Sequence, residues 1–177
     1  MVYDSKKLPF LGVCYDAENL SSAEIAGDIS MMKQAGITVV LTGTKSWYVI
    51  EKNEGKYDFS FYHVLLSQLQ QNGISVVFAI PAAYPPMWLF EKYGDIPVTL
   101  ANRQPLSPAA PNSACCNNPN FIGSVKKFVQ KLVSEFSCYN NIIGWQLANS
   151  LKRHGRGCFC FYCRSSFSEY LKRKRCV

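Results

Sequence analysis

Short runs of apolar, β-branched residues alternate with helix-forming segments along almost the whole chain. Four of these runs are predicted to be strands, at residues 11–15, 37–42, 74–80 and 141–147. Each run is followed by a loop and then by a segment whose apolar residues have helical spacing. Strands and helices that alternate in this way predict parallel βα units. Four such units fit either an open doubly wound sheet or half of an eight-stranded barrel.

The predicted helices have recognisable start and stop signals. They cover residues 23–35, 61–71, 87–93, 120–136 and 164–173. Ser22 is the predicted N-cap of the first helix, and Gly36 and Gly73 end the first two helices in tight turns. The loops after the second, third and fourth strands are longer than these turns. This asymmetry predicts that the functional surface lies at the carboxyl ends of the strands.

The composition of the 177 residues is that of a folded domain, with 48% apolar and 14% aromatic residues. We expect one domain, with the βα units in residues 9–150 and a zinc-binding, basic segment in residues 151–177. No apolar run reaches the roughly 18 residues of a membrane span, so we expect no membrane association. Residues 1–10 lack the features of a signal peptide, and we therefore expect a cytoplasmic protein. Neither glycine-rich nucleotide-binding motif is present.

The net charge of +7 comes from the C-terminal segment. Residues 1–151 hold eleven basic and eleven acidic side chains, whereas residues 152–177 hold eight basic side chains and a single acidic one, Glu169. Such a block can attract phosphate groups or anionic surfaces. The alternative is a solvated helix face that also offsets the charge of nearby thiolates. We favour this alternative over nucleic-acid binding.

Three of the eight cysteines form a tight cluster, Cys158-x-Cys160-x2-Cys163. In a cytoplasmic chain such a cluster indicates metal binding rather than disulfide formation. Structural zinc takes four ligands in a tetrahedron, so one more ligand is required. The candidates for it are Cys115, Cys116 and, less favoured, His154. A site of four thiolates has no open position for water, and the expected zinc is therefore structural.

Longer motifs follow one another in a fixed order through the chain. They are Gly12-Val13-Cys14-Tyr15, Met32-Lys33-Gln34-Ala35-Gly36-Ile37, Glu54-Gly55-Lys56-Tyr57-Asp58-Phe59-Ser60, Pro85-Pro86-Met87-Trp88-Leu89, Pro119, Ile143-Gly144-Trp145-Gln146 and the cysteine cluster. In this order and spacing the set resembles the N-terminal part of glycoside hydrolase family 42, the β-galactosidases of that family. The resemblance covers nearly the whole chain. It implies a (β/α)8 barrel, of which this chain forms about four units, and retaining cleavage of β-galactosides.

The resemblance also implies a four-cysteine zinc site. The Cys-x-x-x-Pro spacing of the family matches Cys115 and Pro119, which makes Cys115 the fourth ligand beside the cysteine cluster. Family members are typically intracellular and often trimeric.

The chain departs from the family at the catalytic positions. The fourth strand of the family ends in Asn-Glu, and that glutamate is the general acid/base. Here Asn149 is kept, but Ser150 stands in place of the glutamate. The nucleophilic glutamate of the family follows the seventh strand, whereas this chain ends after the fourth. An arginine and a glutamate of the family match Leu41 and Thr44, while Glu18 keeps its family counterpart.

These departures predict a truncated, catalytically impaired relative of the β-galactosidases. Retaining hydrolysis needs two carboxyl groups about 5–5.5 Å apart, and a serine hydroxyl cannot act as the acid near neutral pH. Residual binding of a β-galactoside or a related sugar could involve Asn149, Glu18 and Trp47. The alternatives are an active enzyme of which this chain is one part, and a zinc-binding basic module that binds nucleic acid. Half a barrel has exposed edge strands, so we expect a homo-oligomer or a missing barrel half.

Overall fold

Four parallel strands form one sheet in the computed structural model, which describes residues 11–147 and 157–175. The strands are β1 (Gly12–Cys14), β2 (Val39–Thr42), β3 (Ser75–Ala79) and β4 (Ile142–Gln146). They lie in the order β1-β2-β3-β4, and every neighbouring pair is parallel. A doubly wound sheet reverses its strand order at a switch point, whereas a barrel adds each strand beside the previous one. The observed order is that of one arc of a barrel.

Six helices accompany these strands in the part of the chain that the structure describes. They are α1 (Ser22–Gln34), α2 (Ser46–Ile50), α3 (Ser60–Gln71), α4 (Met87–Lys92), α5 (Pro119–Phe136) and α6 (Phe161–Arg175). The N-cap of α1 is Ser21 and not Ser22, so that prediction was wrong by one residue. Ser21 is selected because Glu24 lies three residues beyond it, and the two residues form a reciprocal capping box.

The residues group into two compact units, which we describe separately. The first consists of Met1–Thr44, Asp58–Ile80 and Phe136–Leu147 and contains the whole sheet. The second consists of Lys45–Tyr57, Pro81–Glu135 and Ala148–Val177.

The core of the first unit lies around the two inner strands. Val40 of β2 and Val76 of β3 are fully buried, whereas β1 and β4 are more exposed. The ring of Phe78 lies 5.4 Å from that of Tyr62 and 5.2 Å from that of Phe136, centroid to centroid. Edge-to-face and tilted pairs at these distances add to the energy of apolar burial. This aromatic cluster therefore anchors α3 on the inner strands.

An aromatic cluster also forms the core of the second unit. The indole of Trp47 on α2 stacks on the ring of Phe128 at 5.1 Å and on that of Phe121 at 6.3 Å. Glu51, only 4% exposed, follows α2 and accepts a hydrogen bond from the Trp47 indole at 2.7 Å. The short helix α2 is thus held by α5 and by its own C-cap residue.

Among the described residues, no helix combines the length and the apolar character needed to cross a bilayer.

Candidate metal centre

Cys115 lies in a loop whose backbone is fixed on both sides. Its own N–H donates to the carbonyl of Ile96 at 2.8 Å. Three residues later, the Asn118 side chain accepts hydrogen bonds from the N–H groups of Asn120 and Phe121 at 2.9 and 3.2 Å. Asn118 thereby caps α5, and its amide also donates to the carbonyl of Asp95. Cys115 is therefore a fully buried residue on a well-defined loop.

Of the other three cysteines, Cys158 and Cys160 lie just before α6, and Cys163 lies in its first turn. The N–H of Phe159 donates to the carbonyl of Thr99 at 2.8 Å, which fixes the segment just before the helix. Tyr162, in the first turn of α6, donates its hydroxyl to the Asp95 carboxylate at 2.9 Å. These two bonds hold the cysteine cluster beside the loop that follows α4.

The sulfur atoms of four cysteines meet in this region. They belong to Cys115, Cys158, Cys160 and Cys163, and all four lie within 4.8 Å of one another. The Cys115 sulfur is 3.4 Å from the Cys160 sulfur and 3.4 Å from the Cys163 sulfur. A tetrahedral zinc ion with bonds of about 2.3 Å places its sulfur ligands roughly 3.8 Å apart. The four thiols are free of disulfides, and their spacing fits such an ion.

The two other candidates for the fourth ligand are not in this group. Cys116 is exposed, although it is the immediate neighbour of Cys115. His154 lies outside the described residues.

Protonation of the cluster depends on burial and on main-chain donors. Burial raises the pKa of Cys115 and of Cys163. Burial acts to raise the pKa of Cys158, but main-chain hydrogen bonding at Cys160 and Thr99, together with the thiols of Cys160 and Cys163, lowers the pKa of that thiol overall. A metal ion binds thiolates, so it would displace the remaining protons. Four sulfur ligands leave no open coordination position, and the arrangement is suited to a structural ion, not a catalytic one.

Two acidic residues of the first unit follow β1, at the carboxyl end of the sheet. Glu18 accepts a hydrogen bond from the hydroxyl of Tyr62 at 2.8 Å. Asp16 accepts one from the hydroxyl of Thr44 at 2.7 Å, which joins the loops after β1 and β2. The side chain of Glu18 is half-buried, so one side of it faces solvent.

Of the other two predicted sugar-binding residues, only Trp47 lies in the part of the chain that the structure describes. Trp47 belongs to the second unit and is only 1% exposed, with Phe121 and Phe128 packed against it. In this structure it is a core residue, and its ring offers almost no surface to a ligand. Asn149 and Ser150 lie outside the described residues.

The roles of two residues were not predicted from the sequence. Glu51 accepts hydrogen bonds from the Trp47 indole and from the N–H of Gly55 at 2.8 Å. Burial, followed by the charge of Glu51, raises the pKa of Tyr57. Asn117 contacts two of the clustered sulfur atoms. The sequence contained a signal for Asn117. Two asparagines and a proline directly follow Cys115-Cys116, and only one of the two asparagines is needed to cap the helix that begins at the proline.

A family model of glycoside hydrolase family 42, described as beta-galactosidase, matches residues 14–175. The chain belongs to this family. The predicted resemblance is thereby confirmed.

Curated relatives agree with this assignment. The beta-galactosidase YesZ of Bacillus subtilis is 29% identical over 163 residues, which are 92% of this chain and 25% of the relative. The beta-galactosidase BgaH of Haloferax lucentense is 30% identical over 91% of this chain and 24% of its own length. The chain thus spans about a quarter of the length of the curated relatives it matches.

Solved structures of the family have the same fold. The crystal structure of the cold-adapted β-galactosidase from Rahnella sp. R3 matches with a TM-score of 0.87 and 28% identity, over 98% of this chain and 26% of that chain. The family fold is a (β/α)8 barrel, and the four consecutive parallel strands of this chain form part of it. The predicted partial barrel is confirmed.

Proposed function

We propose that this chain forms a zinc-binding arc of a family 42 β-galactosidase barrel and does not itself hydrolyse β-galactosides. The observation that carries the proposal is the residue after Asn149. At this position, just beyond β4, the chain has Ser150, where the family resemblance places the catalytic glutamate. The replacement of this glutamate by a serine is the cause of the proposed catalytic impairment.

A serine cannot supply what the lost carboxyl group supplies. The general acid of a glycosidase must protonate the leaving oxygen, and losing such a group costs a factor of about 10²–10⁴ in rate. Three carboxylates in the described loops already have partners. Asp16 and Glu18 are hydrogen-bonded to Thr44 and Tyr62, and Glu51 is buried in the second unit. None of the three takes the place of the missing glutamate in this proposal.

Zinc is the metal that best suits the four thiols. Cys115 comes from the loop before α5, and the other three ligands come from residues at and just before the start of α6, more than 40 residues later. When bound, the ion would cross-link these two segments, which supplies stability and no catalytic step. We also propose a cytoplasmic location, because thiolate ligands persist in reducing compartments.

A second candidate function is supported by the length of the match. Because the chain spans about a quarter of its relatives, it could act as one part of a longer or divided β-galactosidase. In that case Glu18 and Asn149 would contribute to binding of a β-galactoside, and both catalytic carboxyl groups would come from another segment.

The proposal is tested by incubating the purified 177-residue chain with a chromogenic nitrophenyl β-galactoside. Ser150→Glu restores the acid, and Ser150→Gln is the matched control because it has the same shape without an ionisable proton. We expect no turnover above the buffer from the natural chain or from the Gln variant. Turnover by the natural chain well above that of the buffer would contradict the proposal. Turnover by the Glu variant alone would assign the defect to position 150.

A further inference from the structure

Two of the clustered sulfur atoms receive hydrogen bonds from the N–H groups of Asn117, a residue of the second unit. Its main-chain N–H lies 3.4 Å from the Cys115 sulfur, and its side-chain Nδ2 lies 3.2 Å from the Cys163 sulfur.

We infer that Asn117 is a positioning residue for the metal, which fixes Cys115 and Cys163 in their ligating orientations and stabilises their thiolate charge. The inference rests on the metal site proposed above.

The two bonds of Asn117 join ligands that are far apart in the sequence. Cys115 and Cys163 are 48 residues apart, and neither segment alone sets their relative position. Asn117 is held by its main chain beside the first of these sulfurs and reaches the second with its side chain. Partners of this kind orient metal ligands, and their loss typically weakens metal binding by a factor of about 10–100.

The N–H donors also stabilise the negative charge of the metal site. Four thiolates around one divalent ion carry a net charge of −2, which N–H dipoles directed at the sulfurs offset. A thiolate can only accept a hydrogen bond, so the amide of Asn117 must present its NH₂ group, not its oxygen, to Cys163. Removing that group leaves the Cys163 sulfur with less stabilisation of its charge.

Asn117 has no part in capping the adjacent helix. The cap of α5 is the next residue, Asn118, whose side-chain oxygen accepts the N–H groups of Asn120 and Phe121. Asn117 itself is exposed. Its replacement therefore removes the side-chain contact with the Cys163 sulfur, keeps the main-chain contact with the Cys115 sulfur, and neither removes the cap nor opens a cavity.

The test compares Asn117→Leu and Asn117→Asp with the natural chain. Leucine has a similar size and donates no hydrogen bond, and aspartate adds a negative charge beside the thiolates. Asn120→Leu is the matched control, because the described hydrogen bonds of Asn120 use its main chain. Zinc affinity is measured by chelator competition on the full chain. We expect about 10-fold to 100-fold weaker binding for Asn117→Leu, at least as large a loss for Asn117→Asp, and little change for the control.

A spectroscopic measurement separates this role from a general loss of structure. With Co²⁺ in place of zinc, the sulfur-to-metal charge-transfer band should shift in Asn117→Leu but not in Asn120→Leu, while the far-UV circular dichroism stays the same in both. If both the affinity and the band are unchanged in the Asn117 variants, the inference is overturned and the metal site stands. If the natural chain binds neither zinc nor Co²⁺, the metal site itself is overturned, and the role of Asn117 with it.

Discussion

Two adjacent cysteines of one loop have opposite surroundings. Cys115 is fully buried among three other thiols, whereas Cys116 is exposed. We expect Cys115→Ser to abolish zinc binding, because a three-thiolate remnant lacks the fourth strong ligand. Cys116→Ser should keep about one zinc ion per chain. The check is the zinc content of each purified variant and its thermal unfolding with and without a chelator.

The outcome for the two variants must differ if the assignment is correct. Cys115→Ser should unfold at a lower temperature than the natural chain and lose its response to the chelator, since a metal that binds only the folded state stabilises it. Equal zinc content in both variants would contradict the assignment of the fourth ligand.

Residue spacing predicted part of this site and could not predict the rest. Three of the clustered thiols were recognisable from C-x-C-x2-C alone. The choice between Cys115 and Cys116 depended on the family resemblance, because spacing cannot tell which of two neighbouring side chains points inward. The burial of Trp47 could not be predicted from residue spacing either. It results from packing against Phe121 and Phe128, which lie more than 70 residues later in the sequence.

At the scale of the elements, one glycine permits the contact between the end of β2 and β3. Gly43 has a φ of +83°, and a Cβ atom at this position would lie 2.3 Å from the ring of Phe78. Gly73 ends α3 with a φ of +71° and open space around it. The left-handed backbone disfavours a side chain at both positions, but only at Gly43 would an added side chain also clash with a neighbour.

We therefore expect Gly43→Ala to destabilise the fold by about 2–4 kcal/mol. Of this, about 1 kcal/mol comes from the left-handed backbone and the rest from overpacking against Phe78. Gly73→Ala should cost only the backbone part, about 1 kcal/mol. Urea unfolding of the two variants gives the comparison, and equal losses at both positions would show that the ring of Phe78 moves aside at no cost.

The elements were more predictable than their ends. The strands were found because β-branched apolar runs bounded by turns have few alternatives. The cap of α1 was placed one residue late, since serine occupies both positions and only the reach of Glu24 distinguishes them. Helix α2 was missed because its five residues carry neither a side-chain cap nor a full helical period. It is stabilised by the packing of Trp47 against α5 and not by local sequence signals.

At the scale of the whole molecule, the parallel sheet was predictable from the alternation of strands and helices, and the sequential order of its strands followed from the family resemblance. The arrangement of the loops was not predictable. The segments Lys45–Tyr57 and Pro81–Glu135, which follow β2 and β3, form their own unit with the cysteine-bearing helix α6. Their association depends on the Trp47 cluster and on the contacts of Asp95 and Thr99, which join residues distant in sequence. The boundaries expected from the sequence, 9–150 and 151–177, stay a prediction.

The edges of the sheet lead to a prediction about assembly. Within the described residues, β1 and β4 each pair with one strand only, and Ile143 of β4 is 39% exposed. An edge strand with unpaired main-chain groups and apolar side chains is a template for pairing with another chain. We expect the 177-residue chain to sediment as a species larger than its monomer mass of 19.9 kDa.

A charge on the edge strand should weaken this association. Ile143→Lys places a lysine on β4, and lysine is a side chain that natural edge strands use against pairing. Val64→Lys is the matched control, because Val64 is also apolar and 50% exposed but lies on α3. We expect Ile143→Lys to shift the sedimentation profile towards the monomer and Val64→Lys to leave it unchanged. A natural chain that stays monomeric as its concentration rises would contradict pairing at the sheet edge, and equal shifts in both variants would place the association elsewhere.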